Sequence, residues 1–166
     1  MSVKSKDKGN RLELTIAKQL TDWSGAKFMR TPCSGAIHNF HDKRVVSDIV
    51  APLSLGEFPF SIEAKNVEYT WEFSNLLEGT SLFWTHWHQC IADAQREGMV
   101  PLLVFKKNRR DIYTAMLTKT FNELEIQPLR VINIHTLGYD LTILRFTDLL
   151  ESITCEELLQ KTLSRP

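Results

Sequence analysis

The chain reads as an α/β protein, a mixed central β-sheet flanked by helices. Three observations predict it. Apolar residues recur at helical spacing near the N-terminus and again around residues 82–97. The segments between and after these two stretches are β-rich. A helix also follows the third strand, which permits a crossover onto a parallel neighbour. A length of 166 residues, 43% hydrophobic and 24% charged, suits one domain over 1–166 with its own core.

The elements follow in order. Leu12, Ile16, Leu20 and Trp23 recur at helical spacing, so about 9–23 is an amphipathic helix that Gly25 helps to end. AKFMRT (26–31) is a short strand, and PCSGAIHNFHDKR (32–44) has loop composition. VVSDIVA (45–51) and FPFSIEAKN (58–66) are strands, joined by PLSLGE as a hairpin connection. Residues 67–81 are ambiguous. Phe83, Trp87, Ile91 and Ala94 mark a second helix, 82–97, ended by Gly98. MVPLLVFKK and DIYTAMLT are two more strands around the basic turn KNRR. RVINIH and DLTILRF supply one or two further strands, and a short acidic helix follows around 155–163. Residues 118–166 stand as an appendage to a core of about 8–117.

Net charge excludes little, because 20 basic residues balance 20 acidic ones. Their distribution is uneven. Basic residues lead nine to five over 1–50 and six to three over 100–130, whereas acidic residues lead seven to two over 51–99. Basic flanks around an acidic middle suit a phosphate backbone held beside carboxylates that gather a metal. Cys33, Cys90 and Cys155 are scattered and odd in number, which argues for a reducing compartment rather than a disulfide framework. No apolar run approaches a membrane span, and MSVKSKDKGN lacks the apolar stretch of a signal peptide. The expectation is a soluble, cytoplasmic protein with no membrane partner.

The chemistry gathers around FSIEAKN (60–66). In a strand, Glu63 and Lys65 share one face while Ile62 and Ala64 share the other. An ion pair on a half-exposed edge is one explanation. A second carboxylate changes the balance: Asp48 lies inside VVSDIVA, where an unpaired carboxylate is costly to bury. If the two strands are neighbours, Asp48 and Glu63 meet. Paired carboxylates repel unless a cation sits between them, and oxygen-only ligands suit Mg²⁺, with Mn²⁺ as substitute. Lys65 then positions or helps deprotonate a water, or neutralises charge building on a phosphate. Glu13 flanks the apolar stripe of the first helix as a third carboxylate, the alternative being a solvated helix-face charge.

The series GNRLE (9–13), SD (47–48) and EAK (63–65), on helix, strand and strand, resembles the PD-(D/E)XK nuclease superfamily over roughly residues 8–117. Ser47 stands where that pattern usually has proline. The resemblance implies a restriction-endonuclease-like fold. GNRLE and TPCSGA (31–36) look most like the Holliday-junction resolvases of archaea and phages. Carried over by residue, it implies Asp48 and Glu63 as metal ligands, the Ala64 carbonyl as a further ligand and Lys65 as the water-orienting cation. Glu13 becomes an outer or second-metal carboxylate. Ser34 becomes a phosphate or active-site contact, and Gln89 a glutamine beside the site. The implied partner is branched DNA, a four-way junction, cut by a homodimer because paired cuts need two sites.

Several residues keep two readings. Lys106, Lys107, Arg109 and Arg110 form either a solvated turn or a phosphate grip, with Lys4, Lys6, Lys8, Arg11, Arg30, Lys43 and Arg44 as further DNA contacts. His86, His88 and Cys90 would need His38 and His41 to make a zinc site, and lack paired spacing. Trp84 and Trp87 fit the core, with stacking on bases as the alternative. Besides a resolvase, the chain is open to being another nuclease of this fold, on duplex, nicked or single-stranded DNA, or a non-catalytic nucleic-acid-binding module.

Overall fold

A computed structural model describes residues 3–31, 47–67, 73–107 and 109–165, with the backbone alone for residues 3–8 and 73. Helix α1 (Val3–Ser24) begins well before residue 9, through a polar stretch that carries no apolar stripe. Its buried side is the expected one, Leu12, Ile16 and Leu20. Gly25 ends it at φ 70°, its N–H returning to Thr21 O.

The next two strands are shorter than their β-rich sequences. β1 (Met29–Arg30) and β2 (Ile49–Val50) pair antiparallel as a separate ribbon. Ser47 and Asp48 form a bend in front of β2 rather than part of a strand. Among the described residues, the expected hairpin between 45–51 and 58–66 is therefore absent. PLSLGE contains a 3₁₀ turn, Leu53–Leu55. β2 meets β3 (Phe60–Val67) through the bend, where the Asp48 N–H donates to Ile62 O at 3.1 Å.

β3 begins a five-stranded sheet. After a short helix α2 (Phe73–Leu77) comes α3 (Leu82–Glu97), capped by Ser81 and by left-handed Gly98. It crosses the chain over to β4 (Val100–Lys107), which runs parallel to β3. β5 (Ile112–Leu117), helix α4 (Thr118–Leu124), β6 (Val131–Thr136) and β7 (Tyr139–Arg145) follow. The strand order is β3-β4-β5-β7-β6, antiparallel after β4. Two more helices close the chain, α5 (Phe146–Ser152) and α6 (Cys155–Gln160).

The sheet separates two apolar clusters. β4 explains its own unbroken apolar run: Leu102 and Val104 join α1 and α5 on one face, while Leu103 and Phe105 join α3 on the other. Trp84 and Trp87 lie in the α3 cluster, 3% and 0% exposed, as core residues. Residues 118–165 are built into this body. β7 pairs with β5, and the Trp23 indole N–H on α1 donates to Ile153 O at 2.9 Å. Among the described residues, no helix is long and apolar enough to cross a membrane.

Candidate active site

β3 sets the geometry. Phe60, Ile62 and Ala64 turn into the α1 cluster, so Ser61, Glu63 and Lys65 face the other way, towards α3. Glu63 is 4% exposed and Lys65 only half-buried, and the Lys65 ammonium rests against Glu63 Oε1. The bend before β2 delivers Asp48 to the same place. Asp48 Oδ2 accepts the Ala64 N–H at 2.9 Å, and the Asp48 and Glu63 carboxyls are within hydrogen-bonding reach of one another. A strand neighbour was expected to bring them together; an irregular bend does so instead.

Electrostatics follow from burial. Desolvation, then the charge of Asp48, push Glu63 up to about 7, with Lys65 opposing. Burial alone would lower Lys65, but Glu63 beside it outweighs that and raises it, so the ammonium stays charged at neutral pH. Glu13 projects from α1 and is raised by desolvation, an effect that its hydrogen bond from Arg30 opposes. Arg30 Nε donates to Glu13 Oε2 at 2.6 Å. Asp48 and Lys65 both act on Glu13 electrostatically, so all four motif residues share one neighbourhood.

A hard divalent cation suits this donor set. Two carboxyls oppose each other's ionisation, and Ala64 stands between Glu63 and Lys65 with its N–H already bonded to Asp48. Among the described residues no three His, Cys, Asp or Glu side chains are grouped as ligands of one ion. An ion here would take Asp48, Glu63 and the Ala64 carbonyl, with Glu13 outside it, paired to Arg30.

α3 contributes Glu97, which the sequence pattern did not flag, and His86 and Cys90, which it weighed only as zinc ligands. Glu97 hydrogen-bonds to Ser47 and Ser61, Cys90 lies against Glu63, and desolvation and then the Lys65 charge lower His86. These three sit at i, i+4 and i+11, one face of a helix laid along β3; that spacing was the available signal. Gln89 is exposed beside them. Arg109 and Arg110 are exposed, and Lys106 and Lys107 half-buried. In the parallel pairing Lys106 faces Asn66, so this basic turn lies at the Lys65 end of β3. Arg11 is exposed on α1, whereas Arg30 is committed to Glu13. Ser34, Lys43, Arg44, His38 and His41 lie outside the described residues, as do the side chains of Lys4, Lys6 and Lys8. A cavity of about 650 Å³ lined by Leu117, Asn122 and Tyr139 shares no residue with this site.

Comparison with known proteins bears on this arrangement. A family model described as "Phage putative PDDEXK endonuclease" matches residues 4–160. No curated protein matches the chain. Among solved structures, the Holliday junction resolvase Hjc of Archaeoglobus fulgidus aligns with 95% of this chain and 99% of its own, at 14% identity and a TM-score of 0.41. A likeness at that level carries nothing over to this chain.

Proposed function

The chain belongs to the phage PDDEXK endonuclease family, and from that premise we propose that Asp48, Glu63 and Lys65 form its hydrolytic centre for DNA phosphodiesters. One observation carries the reading: a buried Glu63, pressed by the Asp48 carboxyl, holds a charged Lys65 at the half-open end of β3. A plain edge ion pair has no use for the second carboxylate. Mg²⁺ held by Asp48, Glu63 and the Ala64 carbonyl, or Mn²⁺ in its place, would screen the phosphate and acidify a bound water.

The chain's own residues do the rest. Lys65, protonated at neutral pH, orients the attacking water and offsets charge on the phosphate rather than acting as a base. Arg30 favours the ionised form of Glu13 at the margin of the centre, against the burial that disfavours it. Lys106, Lys107, Arg109 and Arg110 hold the DNA backbone without reading sequence. In-line attack breaks the P–O3′ bond and leaves a 5′-phosphate. For substrate we propose a four-way junction, cut by a homodimer whose two centres make paired nicks; the GNRLE helix and the TPCSGA stretch support this. The free thiols of Cys90 and Cys155 suit a cytoplasmic setting.

The test is cleavage with Mg²⁺ of a synthetic four-way junction beside matched linear, nicked and splayed duplexes, with Glu63→Ala as control. Symmetric paired nicks at the junction support the full reading. Cutting of linear or splayed DNA keeps the centre and refutes the junction substrate. Equal cutting by Glu63→Ala refutes the centre.

A further inference from the structure

We propose that Glu97 is the positioning residue that aims Asp48, acting through Ser47; this rests on the hydrolytic centre just described. Glu97 lies in the last turn of α3, 8% exposed, outside every motif in the sequence. A carboxylate buried there is costly unless it is well hydrogen-bonded. It accepts the Ser47 N–H at 2.9 Å and the Ser47 hydroxyl at 2.8 and 3.0 Å. The Ser61 hydroxyl also bonds to it, and lies 3.1 Å from Ser47 Oγ.

These bonds complete a frame around an irregular piece of backbone. Ser47 O accepts from the Thr31 hydroxyl at 2.6 Å, and Asp48 O from the Thr31 N–H at 2.9 Å. The Asp48 N–H reaches Ile62 O, and its carboxylate takes the Ala64 N–H. Every main-chain polar group of Ser47 and Asp48 is thus engaged, and the acceptor for the Ser47 N–H is Glu97. Proline, the residue the family pattern favours here, would bring neither that N–H nor a hydroxyl. Serine brings both into a buried bend, and Glu97 receives them. Without Glu97, a buried donor loses its partner and the bend that points Asp48 at Glu63 loses one wall.

The experiment measures Mn²⁺ binding by electron paramagnetic resonance, and amide hydrogen exchange at Ser47 and Asp48 by NMR, on the full chain. Wild type is compared with Glu97→Ala, Glu97→Gln and Glu97→Asp, with melting temperature as the folding control. Glu97→Ala is expected to weaken Mn²⁺ binding about tenfold or more, the usual loss for a group that orients a metal ligand, and to speed exchange at both amides. Glu97→Gln recovers most of this, because its amide oxygen still accepts the Ser47 N–H and both hydroxyls can turn to its NH₂. Glu97→Asp keeps the carboxyl group but withdraws it by one carbon, so it follows the alanine variant and carries the test should that variant fail to fold. Folded alanine or aspartate variants that bind Mn²⁺ like wild type overturn the proposal, as does a glutamine variant no better than alanine. If wild type takes up no Mn²⁺, the hydrolytic centre falls and Asp48 has nothing to be aimed at. Faster exchange in Glu97→Ala would then still locate that failure in the centre rather than in the grip on Ser47.

Discussion

Replacing Glu63 with glutamine removes the carboxyl that burial and the Asp48 charge push from an ordinary 4.5 up to about 7. The sign follows from proton linkage. In the unfolded chain Glu63 ionises near 4.5, while in the folded chain it keeps its proton to about 7. Its contribution is therefore fully present below 4.5 and is lost as pH rises towards 7. At about 1.4 kcal/mol per pH unit, that interval is worth roughly 3 kcal/mol. Glutamine does not titrate, so its variant escapes the loss. Urea unfolding of both proteins in EDTA, from pH 4.5 to 8, should show Glu63→Gln gaining about 3 kcal/mol on wild type across the range. Adding Mg²⁺ at pH 8 should return stability to wild type alone, about 2.7 kcal/mol at a hundredfold excess over Kd. Parallel pH curves for the two proteins would refute the assignment of Glu63 as a buried carboxyl pressed by Asp48.

Other consequences are as direct. Lys65→Ala should lower kcat by about a hundredfold or more while melting temperature and duplex binding stay near the parent, as cleavage and filter-binding assays would read. Arg30→Ala leaves the buried Glu13 carboxylate without its 2.6 Å donor and should cost about 1–3 kcal/mol in chemical denaturation. Trp87→Ala empties a fully buried site and should cost about 3–5 kcal/mol. Replacing Lys106 and Lys107 by alanine should flatten the salt dependence of DNA affinity by about one log–log unit for each phosphate no longer gripped.

Local signals carried as far as local causes reach. Helix α3 was legible because its apolar spacing and the Gly98 stop are both written in its own residues. The shared face of Glu63 and Lys65 was legible because a strand alternates strictly. The bend at Ser47 and Asp48 was hidden inside a β-rich run, because Thr31, Ile62 and Glu97 make it, and each comes from a distant segment. Helices α4 and α5 start directly at the ends of β5 and β7, with Leu117 and Arg145 as N-caps whose side chains make no capping hydrogen bond. With no capping residue to mark them, neither was expected: only Thr118 and Phe146 fall within the expected strands, and the rest of each helix was left unassigned. Glu97 was invisible for a similar reason: its role exists only once α3 lies along β3.

The ties that frame Asp48 span 16 residues to Ala64 and, through Ser47, 50 residues to Glu97. Contacts of that reach carry a loop-closure cost that the chain must meet before they yield anything. A ribosome that has released the first 70 residues has already emitted Glu13, Asp48, Glu63 and Lys65, yet neither α3 nor β4 to brace them. On the proposed reading this is a built-in delay: the grip on Ser47 that would aim Asp48 cannot form until the end of α3 is made.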